Sequence, residues 1–397
     1  MAHILVLAWE FPPRIVGGIS RHVAELYPEV VKLGHEVHLI TIAVPDQPSY
    51  EIVDGIHLYR VAVSDHPHFP DWVAGMNQNM QDTANQLALR HHFDLIHAHD
   101  WLVGKAGISI STDWHIPLVA TIHATEYGRN NGIHNDAQRY IHLQEIALTQ
   151  AACQVIVCSE YMKGEVNRAL GCDPHKVQVI FNGINLHRIQ KSVASAEDLR
   201  HWRLRFADPE EAIVYYVGRI TYEKGIYLLL NAAPKVLQAL DDRVKFIIVG
   251  TGNAYSILLQ RQAWDLGIYH KTIFTGFIAE PELYKLQAVA NCAVFPSLYE
   301  PFGIVALESF AAGVPVVVSD TGGLPEVVKH GQTGIVTKVN DADSLAHGIL
   351  KVLQDPDYAR LLTEQAKIDL KERFDWAKLA QATVNVYQLA IASYQVG

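Results

Sequence analysis

Short apolar runs alternate with segments of helical periodicity along the chain, and the alternation occurs twice. The runs of the first half lie at 3–8, 36–42, 95–98, 118–122, 154–158 and 177–180. Those of the second half lie at 212–217, 245–249, 272–275, 292–295 and 314–318. Parallel strands need crossover helices between them, so this pattern is typical of parallel sheets. The sequence therefore predicts an α/β protein with two doubly wound sheets.

The length of the chain agrees with two domains. It has 397 residues, whereas a single core stops growing at roughly 250 to 300 residues. After the turn signal Asn182-Gly183 the chain becomes polar and irregular before the next apolar run. We predict an N-terminal domain at 1–190, a linker at 191–209 and a C-terminal domain at 210–375. A final helical segment at 376–397 is a candidate to join the first domain.

Composition argues against several classes of protein. Hydrophobic residues make up 49% and charged residues 19% of the chain, which excludes a disordered or fibrous protein. The net charge of -10 gives no attraction to nucleic acid or anionic lipid. No apolar run reaches the roughly 18 residues of a membrane span, and no signal peptide is recognisable, so we expect a cytoplasmic protein. The four cysteines lack C-x-x-C spacing and are expected to be buried thiols.

In open α/β sheets, ligands bind beyond the carboxyl ends of the strands. The first strand is followed by Gly17 and Gly18, which allow close backbone approach to a ligand, although a plain tight turn would also explain them. The third strand leads into His97-Ala-His99-Asp100 and the fourth into His123. These polar groups suit sugar hydroxyls. We predict no metal there, because His97 and His99 have no third matched ligand in the sequence.

The second half carries charged side chains at equivalent points. Arg219 and Lys224 lie in the turn after its first strand, and both types suit phosphate oxygens, although a solvated surface pair is the alternative. A helix is predicted to begin near Gly303, and Glu300 lies before it whereas Glu308 lies inside it. The N–H groups at such a helix start favour a diphosphate, and the glutamates suit sugar and ribose hydroxyls. Alone, two such carboxylates would more simply flank a capped core helix.

The motifs together resemble the retaining glycosyltransferases of the GT-B fold, specifically glycosyltransferase family 4. They are the Gly17-Gly18 loop, G-R-x-x-x-x-K-G at 218–225, S-x-x-E-P-F-G-x-x-x-L-E at 297–308 and S-D-x-G-G-x-P-E at 319–326. The W-E-F-P-P start and the H-A-H-D-W segment are similar to glycogen and starch synthases and maltose-1-phosphate synthases. The resemblance implies two Rossmann-like domains facing each other across a cleft.

The resemblance also implies the substrates. It indicates a nucleoside-diphosphate hexose donor, with an ADP, UDP or GDP carrier and glucose as the expected sugar. The acceptor would be a sugar, a sugar phosphate or a glucan. Neither a metal nor another cofactor is implied, because cationic side chains and a helix N-terminus would stabilise the departing diphosphate. No nucleic-acid partner is expected.

Roles follow residue by residue from the same resemblance. The donor-binding set is Gly17, Gly18, Arg219, Lys224, Gly303, Ile304 and Glu308, with Arg219 and Lys224 on the diphosphate and Glu308 on the ribose. Arg219 and Lys224 also belong to the expected catalytic set. In that set, Glu300 would contact the transferred sugar, His123 would line the reaction centre, and Asp100 would orient the donor or acceptor.

One position departs from the glycogen synthase pattern. Those enzymes carry a lysine two residues before the Gly-Gly pair, whereas this chain has Ile15, next to Arg14. The difference favours a small sugar acceptor or a short glucan over processive polymer synthesis. The alternatives are transfer to an inositol-phosphate or lipid-linked acceptor, a GT-B nucleotide-sugar epimerase, and a sugar-binding protein without catalysis.

Overall fold

The structure is a computed structural model that describes residues 1–186, 196–252 and 254–395. The chain divides into two compact units. The first unit comprises Met1–Gly183 and Trp376–Gly397, and the second comprises Ile184–Asp375. Within the predicted linker at 191–209, residues 191–195 lie outside the described residues, while Ala196–Arg203 form a helix, α7.

The first unit contains an eight-stranded sheet in the order β3-β4-β2-β1-β5-β6-β7-β8. Its strands are β1 (His3–Leu7), β2 (Glu36–Ile42), β3 (Tyr50–Val53), β4 (Ile56–Val61), β5 (Leu95–His99), β6 (Leu118–Ile122), β7 (Gln154–Val157) and β8 (Val177–Val179). All neighbouring pairs are parallel except β3 with β4. The central strands β1, β5, β6 and β7 are almost wholly buried because helices cover both faces of the sheet there.

The helices of the first unit are α1 (Gly18–Lys32), α2 (Phe69–Ala88), α3 (Gly104–Trp114), α4 (Glu126–Asn130), α5 (Asp136–Ala151), α6 (Glu160–Leu170) and the C-terminal α15 (Trp376–Gln395). Helix α15 contributes Leu379, Val384 and Tyr387 to the same core as α1 and β1. At its start, the Trp376 indole N–H donates to Glu25 Oε2 over 2.7 Å. The last helix therefore completes the core of the first unit.

The second unit contains a six-stranded parallel sheet in the order β11-β10-β9-β12-β13-β14. Its strands are β9 (Ala212–Val217), β10 (Val244–Val249), β11 (Thr272–Gly276), β12 (Cys292–Phe295), β13 (Val316–Ser319) and β14 (Ile335–Thr337). After α7, its helices are α8 (Ile226–Ala239), α9 (Ala254–Asp265), α10 (Glu280–Val289), α11 (Ile304–Ala312), α12 (Leu324–Val327), α13 (Ala342–Gln354) and α14 (Pro356–Arg373). The predicted α/β class, with one sheet in each half, is confirmed.

Two features were not predicted from the sequence. The hairpin of β3 and β4 turns at Asp54 and Gly55, which both have positive φ, and Asp-Gly is a typical hairpin turn. The short strand β14 pairs with β13 at the far edge of the second sheet.

The four cysteines are free thiols, buried except for the half-buried Cys153. Within the described ranges, no helix combines the length and apolar character needed to cross a membrane.

Candidate active site

Each sheet has a point where the strand order reverses, and ligands of doubly wound folds bind there. In the first unit, β2 and β5 lie on opposite sides of β1. In the second unit, β10 and β12 lie on opposite sides of β9. The predicted site residues come from the loops that follow β1, β5 and β6 in one unit, and β9 and β12 in the other.

The loop after β1 is organised by a buried carboxylate. Glu10 is only 1% exposed, and its Oε2 accepts hydrogen bonds from the backbone N–H of Val16 at 2.6 Å and of Gly17 at 2.9 Å. Gly17 and Gly18 remain exposed at the start of α1. Glu10 was not predicted from the sequence, because it lies three residues after β1 and nothing around it in the sequence reveals that it is buried.

The position two residues before the Gly-Gly pair carries no positive charge. It is occupied by Ile15, whose side chain is 54% exposed. The Arg14 guanidinium carbon lies 5.4 Å from the centre of the Trp9 ring, within the range of a cation–π contact. Arg14 is thus a cation adjacent in the chain to the position where the glycogen synthase pattern has lysine, and its guanidinium lies over Trp9.

The ends of β5 and β6 carry a buried histidine network. The Tyr27 hydroxyl lies 2.8 Å from His97 Nδ1 and 2.7 Å from His99 Nε2. His97 Nδ1 also lies 2.7 Å from the Tyr387 hydroxyl, and its Nε2 lies 2.7 Å from Thr121 Oγ1. Both nitrogens of His97 are therefore engaged inside the core. His97 supports the site from below and does not face a ligand.

His99 connects this network to His123. Nδ1 of His99 lies 3.1 Å from Nε2 of His123. The ring of His22, on α1, lies 4.8 Å from the His123 ring, and its Nδ1 lies 2.7 Å from Asn182 Oδ1. One nitrogen each of His22, His99 and His123 lies within 4.8 Å of the others. His22 is far from the H-x-H pair in the chain, so the sequence alone could not predict it as a neighbour of His99 and His123.

Burial controls the ionisation of these histidines. Desolvation lowers the pKa of His22 to about 4 and the pKa of His97 to about 3. It also holds the pKa of His99 and of His123 well below the ordinary value of 6.5. The imidazoles are neutral at neutral pH. Each then has one donor and one acceptor nitrogen, and the network uses both nitrogens of His97 and of His99.

Asp100 holds the His123 backbone. It adopts a φ of 63°, unusual for a residue other than glycine. Its Oδ1 accepts the His123 backbone N–H over 2.8 Å. Desolvation raises the pKa of the Asp100 carboxyl to about 7, with Glu10 raising it further, while the His123 hydrogen bond and Arg129 oppose the shift. The Asp100 side chain therefore fixes the position of the His123 backbone.

In the second unit, the central feature is an ion pair between two predicted site residues. Lys224 Nζ donates to Glu300 Oε2 over 2.8 Å, and both side chains are about 15% exposed or less. The hydroxyl of Ser297 donates to the same oxygen at 3.4 Å. Arg219 is half exposed, and its guanidinium lies 3.5 Å from Glu223 Oε1. The loops after β9 and β12 thus meet through Lys224 and Glu300.

Close backbone packing fixes this arrangement. A Cβ on Gly225 would lie 1.9 Å from the Pro296 carbonyl oxygen, and one on Gly322 would lie 1.9 Å from the Glu300 carbonyl oxygen. Gly323 N–H donates to that same Glu300 carbonyl over 2.9 Å. These close approaches hold the loops after β9, β12 and β13 in contact with one another.

Helix α11 begins directly after these loops. Gly303 is its N-cap, and Ile304 is its first residue. The first N–H groups of a helix lack partners within the helix and favour an anion. Glu308 lies in the second turn and is 1% exposed. The structure thus brings Gly303, Ile304, Glu300 and Lys224 to one edge of the sheet, with Glu308 deeper in the helix.

Comparison with known proteins gives the class that this fold and site define. The family model described as glycosyltransferase family 4 matches residues 16–188, and the model described as glycosyl transferases group 1 matches residues 203–369. The chain belongs to this glycosyltransferase family, and its fold is GT-B.

Individual relatives agree with this assignment. An uncharacterized glycosyltransferase of Methanocaldococcus jannaschii is 39% identical, with 98% of each chain covered. A glycogen synthase of Mycobacterium tuberculosis is 33% identical over 98% of this chain and 94% of its own length. The resemblance to glycogen synthases is therefore confirmed.

Solved structures share the fold. Sucrose-phosphate synthase from Thermosynechococcus elongatus superimposes with a TM-score of 0.84 at 24% identity, covering 99% of this chain and all of the other. HepE of Anabaena, solved in complex with UDP-glucose, gives a TM-score of 0.77 at 21% identity, covering 98% and 100% of the two chains. At these identities the likeness establishes the fold alone.

Proposed function

We propose that this glycosyltransferase moves a hexose, with glucose as the expected sugar, from a nucleoside diphosphate to a carbohydrate acceptor with retention of anomeric configuration. The observation that carries the proposal is the Lys224–Glu300 ion pair beside the N-terminus of α11. It combines a cation for phosphate, helix N–H groups and a carboxylate for sugar hydroxyls at one sheet edge. Binding of UDP-glucose by the similarly folded HepE supports this donor class.

The donor diphosphate would be held by cations and backbone amides. Half-exposed Arg219 is accessible to a ligand and presents a planar fork to phosphate oxygens. Lys224 has three N–H donors, so it can bind phosphate while still contacting Glu300. The amides of Gly303 and Ile304 would add the helix dipole. As negative charge develops on the departing diphosphate, these groups stabilise it without a metal ion.

The remaining roles follow from the family resemblance. Glu308 would accept from ribose hydroxyls, and exposed Gly17 and Gly18 would lie against the donor phosphates. His123 would contact the transferred sugar as a neutral imidazole. Asp100 fixes the backbone at His123 over 2.8 Å and would position that contact.

The same observations favour transfer on one face of the sugar over a double displacement. A double displacement needs a carboxylate free to attack the anomeric carbon. Glu300 is the nearest candidate, yet its Oε2 accepts from the Lys224 ammonium and the Ser297 hydroxyl. Such hydrogen bonds lower the nucleophilicity of a carboxylate. We therefore assign Glu300 to hydroxyl binding, with a phosphate oxygen of the leaving group taking the acceptor proton.

The acceptor class includes sugars, sugar phosphates and glucans, and one feature of the first unit favours sugar phosphates. An open pocket beside the loop after β6 is lined by Tyr127, Arg139, His142 and Arg168. Two guanidinium groups beside a hydroxyl and an imidazole suit a phosphate group. The pocket thereby supports an acceptor that carries an anion.

A screen of donors against acceptors tests the function. ADP-, UDP- and GDP-glucose would each be combined with glucan, glucose 1-phosphate and fructose 6-phosphate, and nucleoside diphosphate release would be measured. Proton NMR of the product gives the anomeric configuration. Donor incubated alone would reveal an isomer if the protein is an epimerase. Release with none of the glucose donors would overturn the glucose assignment.

Two variants test the residue roles within that screen. Lys224→Ala and Arg219→Ala should each lower turnover by about two to three orders of magnitude, because charge stabilisation of the leaving group is lost. The control is Lys235→Ala, an exposed lysine of α8 that pairs with Asp343 at 3.1 Å. Turnover close to wild type in Lys224→Ala would contradict the assignment of the diphosphate site.

A further inference from the structure

A second cluster of ligating side chains lies at the opposite edge of the first sheet, at the amino ends of its strands. The histidine cluster consists of His3, Glu36, His38, His57 and His91. In the parallel register, His3 is paired with Glu36 and His38 is paired with His57. Glu36 and His38 are two residues apart on β2, so they share a face. Four of the five side chains therefore lie on one face of three paired strands.

The distances converge on the Glu36 carboxylate. His38 Nε2 lies 2.7 Å from Oε1, His3 Nδ1 lies 3.5 Å from Oε2, and His91 Nδ1 lies 3.8 Å from Oε1. The His57 ring stacks on the His38 ring with centroids 4.6 Å apart. One ligand atom each of Glu36, His38 and His57 lies within 4.8 Å of the others.

Tyrosine hydroxyls hold the outer nitrogens of two of these imidazoles. Nδ1 of His38 lies 3.2 Å from the Tyr59 hydroxyl, and Nδ1 of His57 lies 3.0 Å from the Tyr50 hydroxyl. Metal-binding histidines usually have their second nitrogen hydrogen-bonded in this way, which fixes the tautomer and the ring orientation. The remaining nitrogen of each ring, Nε2, is then the candidate metal ligand, and an ion would replace the hydrogen bond that joins His38 Nε2 to Glu36 Oε1 at 2.7 Å.

His3 adds a further donor. Among the residues that the structure describes, its Nδ1 is a buried nitrogen without a hydrogen-bond partner, although it lies 3.5 Å from Glu36 Oε2. A buried polar atom without a partner is unfavourable, and a bound ion would satisfy it.

We propose that Glu36, His38 and His57 bind a divalent transition-metal ion of the zinc class, with His3 or His91 completing four-coordination. One carboxylate with two or three imidazoles is a donor set that suits Zn²⁺, whereas Mg²⁺ and Ca²⁺ require oxygen ligands. Donor atoms within 4.8 Å of one another need only small side-chain rotations to reach a common ion at about 2.0 to 2.2 Å. Glu36, His3 and His91 keep about a quarter to a third of their side-chain surface exposed, which leaves a route for entry.

The site is separate from the transfer chemistry. The candidate active-site loops follow the carboxyl ends of the strands, whereas this cluster lies where β1, β2 and β4 begin. Metal binding would tie three strands of the sheet together and stabilise the first unit, because an ion that binds only the folded state shifts the unfolding equilibrium.

Zinc binding to the full chain, without an affinity tag and after treatment with chelator, tests the proposal. Isothermal titration should give one equivalent that is lost, or weakened at least about tenfold (about 1.4 kcal/mol), in both Glu36→Gln and His57→Gln. Addition of Zn²⁺ should raise the Tm of wild type but not of these variants. Cobalt should give the intense visible bands of a four-coordinate site in wild type only. His175→Gln, at an exposed histidine of the same unit, is the control.

Glu36 and His57 are chosen because they are only partly buried, whereas His38 is fully buried and its loss threatens folding. Circular dichroism of each variant establishes that it is folded. Unchanged zinc stoichiometry and affinity in both folded variants would overturn the proposal, as would an equal loss in His175→Gln. Transfer activity is not a readout here, so failure of the proposed function leaves this test intact.

Discussion

Glu145 makes the stability of the first unit depend on pH in a way that one substitution can isolate. Its carboxyl is 2% exposed on α5, and its Oε1 accepts the Glu126 backbone N–H over 2.8 Å. Oε2 has no hydrogen-bond partner among the described residues, and His142 Nδ1 lies 3.8 Å away. Desolvation raises the pKa of Glu145 from an ordinary 4.5 to about 8, and the negative charges of Asp100 and Glu126 add smaller increases. The hydrogen bond from the Glu126 backbone N–H and the positive charge of Arg129 oppose this shift.

The direction of the effect follows from proton linkage. Between pH 4.5 and about 8, the folded protein keeps a proton on Glu145 that the unfolded chain has released. The contribution of Glu145 to the free energy of unfolding is therefore fully present below the pKa that Glu145 has in the unfolded chain. It falls as the pH rises towards the pKa of Glu145 in the folded protein, by up to about 1.4 kcal/mol per pH unit. Across the whole window, the loss is about 4 kcal/mol.

Glu145→Gln should remove this loss. Glutamine keeps an oxygen for the Glu126 N–H and stays neutral, so near pH 5 the variant should match wild type within about 1 kcal/mol. Near pH 8.5 it should be more stable by about 2 to 4 kcal/mol, the range allowing for a weaker bond to an amide oxygen than to a carboxylate.

Urea unfolding followed by circular dichroism, fitted with a separate transition for each unit, measures the difference at several pH values. Asp136→Asn removes a fully exposed charge from the same helix and is the matched control. A stability difference between Glu145→Gln and wild type that stays constant from about pH 5 to about pH 8.5 would refute the reasoning.

Two further substitutions test the packing of the site. Gly225→Ala should destabilise the second unit by more than about 2 kcal/mol in the same urea titration, because its Cβ would lie 1.9 Å from a carbonyl oxygen at a φ of 65°. The control is Gly267→Ala, which has a φ of 71° but open space around the new Cβ and should cost only about 1 kcal/mol. Tyr387→Phe should lower stability by about 1 kcal/mol, because His97 loses a hydroxyl partner. Tyr394→Phe, exposed on the same helix, should leave the Tm unchanged, and equal Tm values for both tyrosine variants would contradict the role of the network.

The fold could be predicted from the sequence because parallel strands buried on both faces leave continuous apolar runs. The runs at 36–42, 118–122 and 212–217 coincide with β2, β6 and β9. Half-exposed strands leave no such run, and β3 was missed because its residues alternate between exposed and half-buried positions. Strand β14 was missed as well, although it is as short as β8, which the run at 177–180 predicts.

The two halves of the candidate site differ in how much the sequence shows. In the second unit, the proposed phosphate ligands are a glycine, an arginine and a lysine at fixed spacing within one loop, so the motif is contiguous and can be recognised in the sequence. In the first unit, the site depends on side chains distant in the chain, such as His22 against His99 and Tyr387 against His97. Glu10 and Glu145 could not be assigned either, because burial gives them their properties and spacing does not reveal burial.

The pairing of Lys224 with Glu300 changes how the two motifs should be understood. The sequence predicts Lys224 as a phosphate ligand and Glu300 as a sugar ligand, two independent residues 76 positions apart. In the structure the ammonium of one neutralises the carboxylate of the other at 2.8 Å. Removal of either residue then leaves a mostly buried charge without its partner, so part of any loss in Lys224→Ala reflects an altered Glu300. Lys224→Ala combined with Glu300→Gln removes that contribution, since a neutral amide needs no cation. If charge on the diphosphate is what Lys224 stabilises, the double variant should regain at most the part of the loss that reflects Glu300 and should stay far slower than wild type.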